Sequence, residues 1–210
     1  LCCSRRSRGR ETRALPSRNA QFASLVLSGV TADRDPDDAG SRDGTADRTG
    51  VFVARTEAER ADAFAIRRRV FVDEQGVDES IEWDDHDDPG AATTHFVAYD
   101  GGDVVGAARL RPVDDGGGGD AMSASDVPTT GKVERVAVAE DRRHEGWGRR
   151  IMCAVEDRAR EAGVRRLSLH AQTPVREFYE RLGYEAHGGE FEEAGIPHVA
   201  MEKALGDGDA

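Results

Sequence analysis

Apolar positions along this chain change their spacing several times, and each change predicts a change of secondary structure. Residues 51–54 read as a strand. Thr56-x-x-Glu59 then matches a capping box, in which a hydroxyl and a carboxylate each take up a backbone N–H that the first helical turn leaves unpaired. Ala61, Phe64 and Ala65 give that helix an apolar face, which continues toward Val70 and Phe71. Residues 96–99 and 104–110 form a predicted hairpin turning at Asp100-Gly101-Gly102-Asp103. Residues 133–138 alternate, with Val136 and Val138 on one face, as a strand does. The segment Arg143-x-x-Gly146-x-Gly148 is a glycine turn running into a helix marked by Ile151, Met152, Val155, Ala159 and Ala162, and closed by Gly163. Leu167 and Leu169 alternate in the next strand. Thr173-Pro174 opens a further helix, with proline in the first turn where its missing N–H does no harm. Val175, Phe178 and Leu182 are its expected buried stripe and Gly183 its end. Residues 198–203 alternate through Val199 and Met201 as a last strand. The predicted order β-α-β-β-β-α-β-α-β describes an α/β layered domain with no internal repeat.

The pattern fails in two places. In residues 1–50, Arg5, Arg6, Arg8, Arg10, Arg13 and Arg18 precede a short apolar run at 22–30, followed by a Gly/Asp/Arg/Thr tract. Ser24 and Ser28 break that run, and it falls short of the about 20 apolar residues that span a bilayer. The first residue is Leu rather than Met. The expectation is a disordered extension or a mis-assigned start, with the folded domain at 51–206. The second gap is a loop containing glycines at 116–119, expected to be mobile and exposed to solvent.

Composition narrows the function classes. The chain has 210 residues, 41 acidic and 29 basic, for a net charge of −12. Lys132 and Lys203 are the only lysines. Abundant Asp, with Arg in place of Lys, suits a protein adapted to high salt, and it excludes a general nucleic-acid binder that would need a basic face. Cys2, Cys3 and Cys153 have neither disulfide-framework nor zinc spacing, and Cys153 is expected in or near the core. The six histidines are scattered with no His-x-x-x-His pair, so no metal is expected. A soluble, cytoplasmic protein is the corresponding expectation.

Against that acidic background, Arg142, Arg143, Arg149 and Arg150 surround the glycine turn. A strand, a glycine-rich turn and a helix N-terminus together direct N–H groups and the positive end of the helix dipole at one point, which suits a phosphate. Gly146 and Gly148, lacking Cβ, let oxygens approach the backbone. A dinucleotide-binding motif is excluded, because Ile151 stands where its third glycine would be and no acid closes the next strand. A P-loop is excluded by the lack of Gly-Lys-Ser/Thr.

The motif Arg143-x-x-Gly146-x-Gly148, followed after a helix and a strand by Phe178-Tyr179-Glu180-Arg181-Leu182-Gly183-Tyr184, resembles the GCN5-related N-acetyltransferase (GNAT) superfamily over residues 51–205. Arg69-Val70-Phe71-Val72-Asp73-Glu74-Gln75, Ala171-Gln172 and Gly195-Ile196-Pro197-His198-Val199-Ala200-Met201 are similar to the ElaA-like subgroup. The resemblance implies a central mixed, mostly antiparallel sheet with two splayed parallel strands, flanked by helices. It implies acetyl-CoA as cosubstrate, lying between strands 133–138 and 167–171. Val136, Ala137 and Val138 would run along the pantetheine arm. Amides from Arg143, His144, Glu145, Gly146, Trp147, Gly148 and Arg149 would hold the pyrophosphate. A backbone N–H near Val138 would polarise the thioester carbonyl.

The reaction the resemblance implies is direct attack of a primary amine on the thioester in a ternary complex. An ammonium must first lose a proton, and the departing thiolate leaves more readily when protonated. Tyr179 matches the family's general acid. Glu134, on the central strand, is one candidate base; Glu74, Glu82, His198 and a water relay are others. Residues 73–88 carry nine acids and no Lys or Arg. They would either attract a cationic amine or sit on a solvated loop, and the loop is expected for most of them. Glu74, Gln75, Glu82 and His198 are expected on the acceptor side. The acceptor is a small-molecule amine or a protein amine, with no nucleic acid and no membrane, and a homodimer is one arrangement the family shows. The alternative is a non-catalytic acyl-CoA sensor on the same fold.

Overall fold

The computed structural model describes residues 47–113 and 130–206; the expectations for residues 1–46 and for the glycine loop at 116–119 lie outside the described residues. Seven strands form one sheet in the order β1-β2-β3-β4-β5-β7-β6. They are β1 (Gly50–Val53), β2 (Thr94–Asp100), β3 (Asp103–Val113), β4 (Thr130–Val138), β5 (Arg166–Gln172), β6 (Glu185–Glu193) and β7 (Ile196–Ala204). Every neighbouring pair is antiparallel except β4 and β5. That parallel pair is in register only from Thr130 opposite Arg166 to Val133 opposite Leu169. Beyond it the two strands diverge and leave a fork in the sheet.

Helix α1 (Glu57–Arg67) starts as its capping box predicts. Thr56 Oγ1 accepts from the Glu59 N–H at 3.2 Å, and Glu59 Oε2 accepts from the Thr56 N–H at 3.0 Å. Its buried face differs from the expected one. Ala63, Ile66 and Arg67 point inward, followed by Val70 in the π-helical turn Arg68–Glu74, whereas Ala61 and Ala65 are exposed. The buried stripe contains an arginine, so a stripe read from apolar residues alone falls out of phase with it.

Helices α3 (Trp147–Glu161) and α4 (Arg176–Arg181) cover one face of the sheet, where Ile151, Met152, Val155, Leu167 and Met201 pack together. On the opposite face α1 packs through Ala63, Ile66 and Val70 against Val97, Tyr99 and Ala137. Cys153 is buried on α3, as expected. The stripe of α4 is centred on Tyr179, while Val175 is 43 % exposed. Val175 belongs to the 3-10 turn Thr173–Val175, whose tighter winding shifts it off the helical phase.

Strand β6 was absent from the predicted order. Nearly all of its side chains are exposed and it is an edge strand, so no alternating apolar signal marks it.

A bulge in β4 shapes the fork. Arg109 lies opposite Glu134 and Ala107 opposite Ala137, so Arg135 and Val136 share the space facing Ala108. Arg135 adopts φ +55°, a conformation that costs a non-glycine residue about 1–2 kcal/mol. Its guanidinium offsets this by binding Glu82 Oε2 at 2.8 Å and the Ile81 carbonyl at 3.2 Å. Close packing behind the bulge depends on Gly106, where an added Cβ would lie 2.7 Å from both the Ala137 oxygen and Ile151 Cδ1.

Candidate active site

The fork opens into a cleft of about 750 Å³, lined from β4 by Val136 and Val138, from β5 by Leu169 and His170, and from α4 by Tyr179. Ala139 N–H bonds the Val105 carbonyl on the β3 side. Backbone groups alternate along a strand, so the Val138 N–H and C=O point toward the fork. The Val138 carbonyl accepts there from Arg143 Nε at 3.2 Å. Ala137, expected along the pantetheine arm, instead has its side chain buried in the core on the α1 side.

The glycine turn leads to α3 at one end of this cleft. Gly146 has φ +84° immediately before the helix, a conformation that favours glycine. The first helical bond is from Arg150 N–H to the Gly146 carbonyl at 3.1 Å, so the Trp147 and Gly148 amides precede the helical ladder. Arg143, His144, Gly146, Trp147, Gly148 and Arg149 all line the cleft; Glu145 does not, and its carboxylate lies 3.9 Å from Arg142. Gly148 is constrained from behind: an added Cβ would sit 3.2 Å from the Phe178 ring. Its lack of a side chain therefore lets α4 pack against α3, besides leaving the backbone open.

Tyr179 is buried between the rings of Phe178 and Tyr184, at 4.9 and 5.9 Å, and burial raises its pKa. The phenol therefore stays protonated and keeps an O–H to donate. Glu134 lies in a different environment. It accepts from Arg109 at 2.8 Å, Arg111 at 3.0 Å and Lys132 at 3.2 Å. Burial alone would raise its pKa, but the hydrogen bonds and charges of Arg111 and Arg109 outweigh that and hold it at about 2.

A family model for the acetyltransferase (GNAT) domain matches residues 57–205. The chain belongs to the GNAT family. It is 38 % identical over 154 residues to the uncharacterized N-acetyltransferase YjcF of Bacillus subtilis, a match covering 73 % of this chain and 98 % of YjcF. The crystal structure of Escherichia coli ElaA superposes with a TM-score of 0.57 at 25 % identity, covering 70 % of this chain and 91 % of ElaA. An acyl-CoA N-acyltransferase from Pseudomonas aeruginosa superposes with a TM-score of 0.58 at 25 % identity, covering 73 % and 97 %. The mixed sheet with its splayed parallel pair is thus the GNAT fold, and the chain is an acyltransferase by family.

The residues expected as base or on the acceptor side divide. Gln75, Glu82, Glu134 and His198 line the GNAT cleft. Gln75 Oε1 accepts from Gln172 Nε2 at 2.9 Å, tying the turn after α1 to β5. His198 Nδ1 lies 2.8 Å from the Ile196 carbonyl, which only accepts, so Nδ1 carries the proton. Glu74 does not line the cleft and binds Arg143 at 2.7 Å.

Most acids of the segment at 73–88 are exposed, as expected, but three are drawn to buried arginines. Glu82, in the short helix α2 (Glu79–Glu82), and Asp87 are buried against Arg67 at 2.7 Å each. Asp84 binds Arg109 at 2.7 Å. Arg67 and Arg109 are 0 % and 1 % exposed, which only close carboxylates make tolerable. Burial would raise the pKa of Asp87, yet Arg67 and Arg109 hold it at about 2. His95 beside it is lowered to about 4, first by burial. The pairing of this acidic segment with basic positions in α1 and β3 is not marked by any local spacing. Its one signal is Ala-Ala-Arg-Leu-Arg at 107–111, charges interrupting an apolar strand.

Among the described residues, no group of three or more His, Cys, Asp or Glu side chains is arranged to hold a metal ion. Among them, too, no helix is long and apolar enough to cross a membrane.

Proposed function

We propose that this chain is an acetyl-CoA-dependent N-acetyltransferase that acylates a primary amine by direct attack. The observation that carries the reading is the fork between β4 and β5, opening beside the amide-bearing start of α3. Val136 and Val138 flank the pantetheine arm in this reading. The Trp147 and Gly148 amides, with Arg143 and Arg149, receive the pyrophosphate. The Val138 N–H faces the thioester carbonyl and supports its developing negative charge.

Tyr179 is the proposed donor to sulfur. Its raised pKa makes it a weaker acid than the leaving thiol. Its main contribution is therefore a hydrogen bond that strengthens as charge builds on sulfur. Glu134 is assigned a different role from the base considered above. A carboxylate held at about 2 by two arginines has little basicity near pH 7, so it serves to neutralise the buried Arg109 and to hold Arg111 and Lys132. Glu82 and Glu74 are likewise engaged by arginines. The proposed setting is a salt-rich cytoplasm, which suits the net charge of −12.

The test is titration calorimetry of acetyl-CoA into the full chain at high salt, alongside an Arg143→Glu/Gly148→Glu double variant. Micromolar binding that the variant loses is the expected result. No heat from folded wild-type protein sinks the proposal. Binding without thiol release across a panel of amines favours the non-catalytic acyl-CoA sensor instead.

A further inference from the structure

We propose that His170, oriented by Glu193, is the base that removes the proton from the incoming ammonium; this rests on the acetyl-transfer reading above. The placement follows from register. Val133 opposite Leu169 is the last matched pair of β4 and β5, so His170 is the first β5 residue beyond the fork apex. Leu167, Leu169 and Ala171 are buried, which directs Ser168, His170 and Gln172 to the other face of the sheet. That is the acceptor side, where Gln172 meets Gln75. His170 lines the cleft there.

The chemistry follows from its partners. His170 Nδ1 lies 2.7 Å from Glu193 Oε2, and the ring stands edge-on to Phe191 at 4.8 Å. A carboxylate accepts the Nδ1 proton, leaving the lone pair on Nε2, and it also stabilises the imidazolium that forms. Its side chain is 35 % exposed, enough to pass the proton on to water. His198 shares the Phe191 ring but bonds a neutral carbonyl, and its register position is opposite Gln172, farther from the apex. Glu82 and Glu134 are engaged by arginines.

The step balances as follows. The ammonium gives one proton to His170 Nε2, which releases it to solvent. The freed lone pair forms the C–N bond to the thioester carbon, and the C–S bond breaks. Sulfur leaves as a thiolate held by the hydrogen bond from Tyr179, and it takes up through water the second proton that the nitrogen loses.

Two nucleophiles separate this proposal from its foundation: benzylamine, an ammonium at pH 7, and hydroxylamine, largely unprotonated at that pH. Acetyl-CoA consumption by full-length wild type is measured with both. His170→Gln is expected to lower kcat/KM for benzylamine by about 10²–10⁴-fold while largely sparing hydroxylamine and acetyl-CoA affinity. Glu193→Gln is expected to shift the same ratio by a smaller factor, and it supplies the test if His170→Gln does not fold. Added imidazole should restore benzylamine turnover in His170→Ala. Equal losses with both nucleophiles, or an unchanged ratio in both variants, overturn the assignment. Wild-type turnover of hydroxylamine alone overturns it while leaving acetyl transfer intact. Turnover of neither sinks acetyl transfer and the base together.

Discussion

Tyr179 and Glu134 show how the same fold makes one ionisable side chain a donor and another a fixed charge. Tyr179 is enclosed by two aromatic rings, so its phenol keeps its proton. Tyr179→Phe should retain acetyl-CoA binding and lower kcat by about 10²-fold or more, measured as thiol release at saturating substrate. Glu134 balances Arg109, whose charge cannot reach water. Glu134→Ala leaves Arg109 partly uncompensated at 1 % exposure and should cost on the order of 3–5 kcal/mol in urea unfolding. The titration behaviour of these groups has a definite sign. Glu134 and Asp87 have folded pKa values of about 2, below their ordinary values, so their contribution is complete above about pH 5 and is lost as pH falls toward 2. His95, lowered to about 4, is neutral in the fold and must not gain a proton there. The unfolded chain binds that proton below about pH 6.5, so stability should already decline between about pH 6.5 and 4. Urea midpoints across pH 3–8 check this, and His95→Gln should flatten the upper part of the curve.

The elements were legible where a single apolar period governed them. The capping box at Thr56, the β2–β3 hairpin, and α3 with its closing Gly163 all stand where the sequence pattern predicts them. The misses fall where apolar spacing does not follow the element. The inner face of α1 carries Arg67, and β6 is an edge strand with almost no buried side chain. Val175 lies in a 3-10 turn ahead of α4 rather than on its helical stripe. The β4 bulge is likewise invisible in Val-Glu-Arg-Val-Ala-Val, because Arg135 reaches φ +55° only with Glu82 and Ile81 to hold its guanidinium. Gly106→Ala tests the packing behind that bulge. A Cβ 2.7 Å from the Ala137 oxygen forces β3 and β4 apart, and a loss of about 1–3 kcal/mol is expected, together with weakened acetyl-CoA binding.

For the whole molecule, a net charge of −12 opposes compaction by self-repulsion. Salt screens exposed charges over about 10 Å at 0.1 M and about 3 Å at 1 M. Thermal midpoints should therefore rise between 0.1 M and 2 M KCl, measured by calorimetry. The pairs of Arg67 and Arg109 lie away from solvent and contribute little to that slope.

The amino-acid order by itself determined most of the strands and helices, the glycine turn before α3, and the family, because these depend on short-range spacing and local backbone geometry. It also placed Tyr179 and the cleft-lining glycines by motif. Tertiary structure alone decided which charges meet. Arg67 and Arg109 reach Glu82, Asp84 and Asp87 across 15 to 25 positions of chain, and His170 reaches Glu193 across 23. Such pairings follow from how the sheet is ordered and where its strands part, and a pattern of nearest neighbours does not contain that information.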